Sequence, residues 1–233
     1  MKIDGNKYIQ FLEYFVINKW NSPSQLGQDL FVIYFLGGKK NGFFIEIGAC
    51  DGVQLSNSLK LEKIGWNGII SEPSPYWINK IKNRKCIVST KAVFNESNKK
   101  LDFGSIENFP DLSGIKSSFN MDDNNKLRKD SKLHKVETIT LNDLIEKKAQ
   151  GNKINYISID TEGSEYEIIK NFNFKKYNVD IFTIEHNFIE NKRNSIFNLM
   201  TQNEYIRVFQ NLSQWDDWYI KKDNRILKEM TIK

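Results

Sequence analysis

Cysteine and histidine are scarce in this chain, with two of each among 233 residues. Cys50 and Cys86 lack the close spacing of metal-ligand pairs, which argues against a structural zinc site. Reduced thiols in a cytoplasmic protein are the expectation. No apolar run approaches the roughly 20 residues that cross a bilayer. The start, Met1-Lys2-Ile3-Asp4-Gly5, carries an acid and no long apolar stretch, so no secretory signal is expected. Blocks of positive charge are also missing. The net charge is +5, but the lysines fall in scattered pairs such as Lys99-Lys100, Lys147-Lys148 and Lys175-Lys176. Such pairs describe a solvated surface rather than a nucleic-acid footprint. There is no internal repeat, and no Gly-x-Gly-x-x-Gly run of the kind that cradles a dinucleotide pyrophosphate.

What remains is a chain of 39% hydrophobic and 13% aromatic residues, long enough for one sizeable core. Apolar runs predict strands at 43–47, 68–71, 86–89, 156–160 and 181–185, with a short strand at 101–103 and a terminal antiparallel pair at 205–209 and 218–220. Helices are predicted at 8–17, 25–36 with Ser24 as its cap, 56–63, 76–82, 164–170 and 193–202. Thr140-Leu141-Asn142-Asp143 reads as a capping box with Asp in the Glu position, opening a helix over 141–148. Strands alternating with helices imply an α/β fold, a mostly parallel sheet with helices on both faces. The stretch from Pro110 to Lys135 is polar and breaks this rhythm, as functional or mobile loops do. Residues 1–23 read as an N-terminal helical extension and 24–233 as the main domain, with a polar insert at about 104–136.

Three clusters sit at predicted strand ends, where open α/β sheets bind ligands. The first is Glu46-Ile47-Gly48-Ala49-Cys50-Asp51-Gly52, in which small residues let backbone approach a ligand. Twenty residues on, Glu72 ends the next strand and is followed by Pro73; a carboxylate there can accept both hydroxyl hydrogens of a ribose. With no pyrophosphate fingerprint, the pair points to a nucleoside cofactor such as S-adenosylmethionine. The second cluster is Asp160-Thr161-Glu162-Gly163-Ser164-Glu165, three acids crowded at one strand end, costly without a cation, donors or water. Glu165 there serves equally well at the positive end of a helix. The third is Glu185-His186-Asn187. A neutral imidazole at that place can accept a proton from an alcohol or ligate a metal. His134, in the polar insert, reads as an exposed loop residue.

Taken in order, Ser24-Gln25-Leu26-Gly27-Gln28-Asp29, the 46–52 loop, Glu72-Pro73, Thr138-Ile139-Thr140-Leu141-Asn142-Asp143-Leu144, Ser158-Ile159-Asp160-Thr161-Glu162-Gly163 and Ile184-Glu185-His186-Asn187 make a set that resembles the FkbM family of S-adenosylmethionine-dependent methyltransferases. The resemblance runs from about residue 24 to 220. It implies a Rossmann-like class I methyltransferase fold, seven strands with the last antiparallel, and O-methylation of a hydroxyl on a sugar, glycan or secondary metabolite. It places cofactor contacts on Glu46, Gly48, Ala49, Cys50, Asp51, Gly52, Glu72, Pro73, Ala92, Val93 and Asp160. Cys50 departs from the Asn or other small or polar residue expected there.

Methyl transfer is mainly a matter of positioning, with a base or metal activating the hydroxyl. The expected catalytic residues are His186, Asp160 and Glu162. The expected acceptor contacts are Gln25, Gln28, Asp29, Asn57, Glu185 and Asn187. In a metal-assisted variant, Asp160, Glu185 and His186 ligate magnesium or manganese. Competing readings are an RNA ribose or protein methyltransferase and a non-catalytic adenosine-binding domain. A nicotinamide dehydrogenase is disfavoured by the missing glycine spacing. The expected partner is a small-molecule or glycan substrate, with nucleic acid disfavoured.

Overall fold

The computed structural model describes residues 4–121 and 123–231, so the Met1-Lys2-Ile3 start and Asp122 of the polar insert lie outside the described residues. The strands in chain order are β1 (Phe43–Ile47), β2 (Asn67–Ser71), β3 (Ile87–Ser89), β4 (Ala92–Val93), β5 (Lys100–Ser105), β6 (Gly114–Ile115), β7 (Lys132–Ile139), β8 (Tyr156–Ile159), β9 (Ile181–Glu185), β10 (Tyr205–Val208) and β11 (Asp216–Lys221). The helices are α1 (Gly5–Asn18), α2 (Gln28–Phe35), α3 (Leu59–Lys63), α4 (Ile78–Ile81), α5 (Leu141–Lys148), α6 (Glu165–Ile169), α7 (Glu190–Gln202), α8 (Gln210–Ser213) and α9 (Arg225–Met230).

Seven strands form the main sheet in the order β3-β2-β1-β8-β9-β11-β10. Neighbours pair in parallel from β3 to β9, and β11 is antiparallel to both β9 and β10. This is the class I methyltransferase fold. Its strands are apolar throughout because both faces are covered. Along β1, Phe43, Ile45 and Ile47 enter one core with α5, α6 and α7. Phe44 points the other way, into a core shared with α1, α2 and α9. That second core is aromatic: Phe11 stacks on Phe209 with centroids 4.5 Å apart, and Phe31 on Trp218 at 4.7 Å. The fully buried Phe11 docks α1 onto the sheet.

The capping box is half made: the Thr140 amide donates to Ser97 Oγ at 2.8 Å instead of to Asp143, whose Oδ2 accepts from that same hydroxyl. Thr140 Oγ1 accepts from the Asp143 amide at 3.1 Å, and Lys147 and Lys148 occupy the negative end of α5. Thr140→Ala is expected to lower stability by about 1 kcal/mol, read as a shift of the urea midpoint at unchanged slope.

Several expectations are corrected. Helix α2 begins at Gln28, not at 25, and Ser24 does not cap it; its hydroxyl donates to Asp29 Oδ1 at 2.7 Å. Gly27 precedes the helix at φ +83°, where a Cβ would lie 2.4 Å from the Phe15 ring. The polar stretch after Pro110 is not one loop. It holds 3-10 turns at Pro110–Leu112, Lys116–Met121 and Asp123–Lys126, the short β6, and the start of β7. With β4, β5 and β6, β7 builds a second, four-stranded sheet ordered β4-β7-β5-β6. Helices α8 and α9 were not expected. Among the described residues no helix is long and apolar enough to cross a membrane.

Candidate active site

The carboxyl ends of β1 and β8 lie side by side at the point where the strand order reverses, which is where such sheets open a ligand crevice. A cavity sits there. It is lined on one side by the 47–50 turn, Glu72, Pro73, Ala92 and Val93, and on the other by Asp160, Glu162, Glu185 and Asn187. Gln25 and Asn57 reach it from the amino-terminal half, and Asp111, Leu112 and Gly114 wall it from the insert.

On the first side, Gly48 stands at φ +83°, and a Cβ there would lie 1.6 Å from the Asp160 carbonyl oxygen. Only glycine allows the two strand ends to approach this closely. The Gly48 amide donates to Ser71 O at 2.9 Å, tying the turn to β2. Glu72 is buried. Its Oε2 accepts from the Cys50 amide at 3.0 Å and its Oε1 from the Ser74 amide at 2.8 Å. Burial raises its pKa to about 7 against these two donors. Burial, then Glu72, pushes the Cys50 thiol well up, so it stays protonated.

On the second side, carboxylate oxygens of Asp160, Glu162 and Glu185 lie within 4.8 Å of one another. Burial, then the charge of Glu165, raises Asp160 to about 7, and burial, then Asp160, raises Glu185 well above its usual range. The two carboxyls lie close enough that each charge disfavours the other. Glu162 is held by Arg128 from the insert. Glu165 organises the loop rather than facing the cavity: it accepts from the Thr161 and Gly163 amides at 2.9 and 3.0 Å and pairs with Lys192 at 2.9 Å. Burial opposes the charge of Glu165, but Lys192 and these donors prevail and lower its pKa.

Residues 46–218 match the family described as Methyltransferase FkbM domain. The chain belongs to the FkbM methyltransferase family. It is an S-adenosylmethionine-dependent methyltransferase. No curated protein matches its sequence. Among solved structures, the fibrillarin/Nop5p complex is 12% identical over 85% of this chain and 80% of that one, with a TM-score of 0.44. Magnesium protoporphyrin IX methyltransferase of Synechocystis, with bound S-adenosylmethionine, is 9% identical over 84% and 79%, at 0.40. TrmK of M. capricolum with S-adenosylhomocysteine is 13% identical over 83% and 68%, at 0.37. Likenesses this distant carry no argument about what this methyltransferase acts on.

The donor-side cavity fits the family's cofactor in its chemistry. Glu72 presents a buried carboxylate at the end of β2, and the positive-φ turn at Gly48 brings backbone to its rim. Not every expected residue of this methyltransferase reaches the cavity. Glu46 touches it, but its oxygens are taken by the Asn57 amide at 2.7 Å and by the hydroxyls of Ser56 and Ser58. It therefore fixes the 56–58 loop. Asp51 and Gly52 are absent from the lining: Asp51 Oδ1 accepts from the Val53 and Gln54 amides, and Gly52 O from Arg84 Nη1 at 2.6 Å. Gln28 and Asp29 also lie off the cavity. Gln28 donates to Asp216 at 2.9 Å, and Asp29 is engaged by Ser22, Ser24 and the Leu30 amide.

His186 is the largest departure. Its neighbours Glu185 and Asn187 line the cavity, but its own ring does not. Nδ1 accepts from the Phe188 amide at 3.0 Å, and Nε2 lies 3.7 Å from Asp217 Oδ1. Burial lowers its pKa to about 4. A neutral ring whose one lone pair is already occupied is a poor base. We expect His186→Asn, which keeps an acceptor near the Phe188 amide, to retain turnover within a few-fold, whereas loss of a working base costs about 10²–10⁴ in rate. Steady-state kinetics at saturating cofactor separates the two.

Sequence reasoning missed Arg128, Ser158 and Trp215. Ser158 accepts from Asn57 Nδ2 at 2.9 Å and Trp215 lines the cavity. A lone arginine in a lysine-rich insert, and a tryptophan just ahead of its strand, carry no local signal.

Proposed function

We propose that this methyltransferase transfers a methyl group to a hydroxyl of a sugar, glycan or secondary metabolite. The observation that carries the reading is the division of one cavity into two chemistries: a glycine turn with a buried carboxylate on the donor side, and the clustered carboxyls of Asp160, Glu162 and Glu185 on the other. Bound S-adenosylmethionine supplies an electrophilic methyl on its sulfonium. Glu72 would accept the ribose hydroxyls, and Gly48, Ala49, Cys50, Pro73, Ala92 and Val93 would hold the nucleoside. Asp160, beside Glu185, would take the proton of the acceptor hydroxyl that receives the methyl group. Glu162, Asn187, Gln25 and Asn57 shape the acceptor side.

Residues 24–233 form the catalytic domain in this reading, 1–23 are its N-terminal extension, and the 104–136 insert is its substrate wall. The two free cysteines favour a cytoplasmic setting. The test is methyl transfer from labelled S-adenosylmethionine across a panel of glycans, polyols, phenols, RNA and protein. Label in glycan or small-molecule hydroxyls supports the reading. Label in RNA ribose or protein, or cofactor binding with no turnover across the whole panel, overturns it.

A further inference from the structure

We propose that Asp160, Glu162 and Glu185 seat one hard divalent cation, magnesium or manganese, on the acceptor side of the cavity. The proposal takes its purpose from the methyltransferase reading, but its geometry stands apart from it. The three carboxylates project from the ends of β8 and β9 and the loop after β8, with one oxygen of each within 4.8 Å of the others. Carboxylates around an ion at about 2.1–2.4 Å occupy a span of this order.

Acid clusters form without ions, so independent observations matter. Glu185, 4% exposed, lines the cavity, and its buried Oε2 has no hydrogen-bond partner. Asn57, at 6% exposure, presents an unpartnered Oδ1 to the same cavity while its Nδ2 is pinned to Ser158. An amide oxygen is a neutral ligand suited to hard cations. Positive charge is also distributed unevenly. Arg128 pairs with Glu162 and Lys192 with Glu165, but among the described residues no lysine or arginine forms an ion pair with Asp160 or Glu185. The donor set is all oxygen, and the imidazole of His186 is turned away, which favours magnesium or manganese over zinc or copper. A cation there would fix an acceptor hydroxyl and acidify it, one Asp160 oxygen serving as ligand and the other remaining to take the proton.

The test is titration of Mn²⁺ into the full chain without S-adenosylmethionine, following the free-ion electron paramagnetic resonance signal. The expected result is one ion per chain with a dissociation constant below about 1 mM. Glu185→Gln should weaken it by about 10–100-fold, the size of effect seen when a metal ligand's environment is disturbed. Asp102→Asn, an exposed acid paired with Lys135 on β5, should leave it unchanged. Circular dichroism confirms that Glu185→Gln is folded. Absence of binding up to several times that concentration, or equal binding by wild type and a folded Glu185→Gln, overturns the cation site. Calorimetry with S-adenosylmethionine in EDTA is run alongside. Cofactor binding without any Mn²⁺ binding removes the cation and keeps the methyltransferase reading, while Mn²⁺ binding without cofactor binding supports the cation and removes that reading.

Discussion

Gly48→Ala is expected to abolish measurable S-adenosylmethionine binding and to lower the melting temperature by roughly 8–16 °C, from about 4 kcal/mol of destabilisation in a chain of this size. The added Cβ would lie 1.6 Å from the Asp160 carbonyl oxygen and 2.8 Å from its carbon. Neither atom belongs to a side chain that can swing aside. The Asp160 amide donates to Ile47 O at 3.0 Å, and the Gly48 amide to Ser71 O at 2.9 Å, so relief requires parting β1 from β8 or β2. The positive φ adds strain of its own. Gly38→Ala is the matched control. Gly38 also has a positive φ, +69°, but nothing lies within 4 Å of its Cβ position. It should cost only about 1–2 kcal/mol and leave cofactor affinity intact. Thermal melts and calorimetry check both, and equal losses in the two variants would mean that close approach is not what Gly48 provides.

Glu72→Gln is expected to weaken S-adenosylmethionine by about 10–100-fold, the equivalent of one hydrogen bond to a charged acceptor. Each carboxylate oxygen already accepts one amide, from Cys50 and Ser74, and has further lone pairs for a diol. Glutamine leaves one oxygen and turns an NH₂ group toward one of those amides. The pH dependence has a definite sign. With its pKa raised to about 7, Glu72 is largely protonated below neutrality, and a protonated carboxyl is a poorer acceptor of two hydroxyls. Cofactor affinity should therefore fall as pH drops from about 8 to 6 in the wild type, and fall less in Glu72→Gln. Asp160, also near 7, contributes the residual slope. Affinity that is flat with pH in the wild type would remove Glu72 as the ribose acceptor.

The parts of this fold that sequence could reveal are those where local chemistry decides structure. Strands β1 and β9 were read with their observed bounds because they are apolar runs buried on both faces. Helix α5 was too, because its cap is made by a side chain three residues from its partner amide. Strand β7 was hidden: Lys132, Leu133, Lys135 and Glu137 are exposed along it, and its pairing with β5 spans about thirty residues of chain. A strand whose outward residues are polar has no local signature apart from its partners, here β5 along its length and β4 at Thr138 and Ile139. The site shows the same limit. The acids at the ends of β8 and β9 were legible as a cluster, since strand ends point to one rim. The direction of the His186 ring was not, because it follows from a turn in which Asn187 and Phe188 both take positive φ, at 49° and 56°. The partners of Glu46 were equally illegible: it lines the cavity, but its oxygens are engaged by Ser56, Asn57 and Ser58 of one loop, and its Oε2 lies 3.9 Å from Arg84 Nη1.

The excursion between β5 and β7 meets the sheet at two fixed points. Gly163 packs so tightly under Ser118 that a Cβ would lie 2.5 Å from its carbonyl, and Arg128 holds Glu162. Between β5 and the first of these points, Asp111 and Leu112 form a wall of the cavity that comes from the insert rather than from the main sheet. An engineer wishing to redirect the catalyst can therefore recast residues 106–113 as a cassette, leaving both rivets and the nucleotide half in place, and ask new acceptors to dock on an unaltered methyl source.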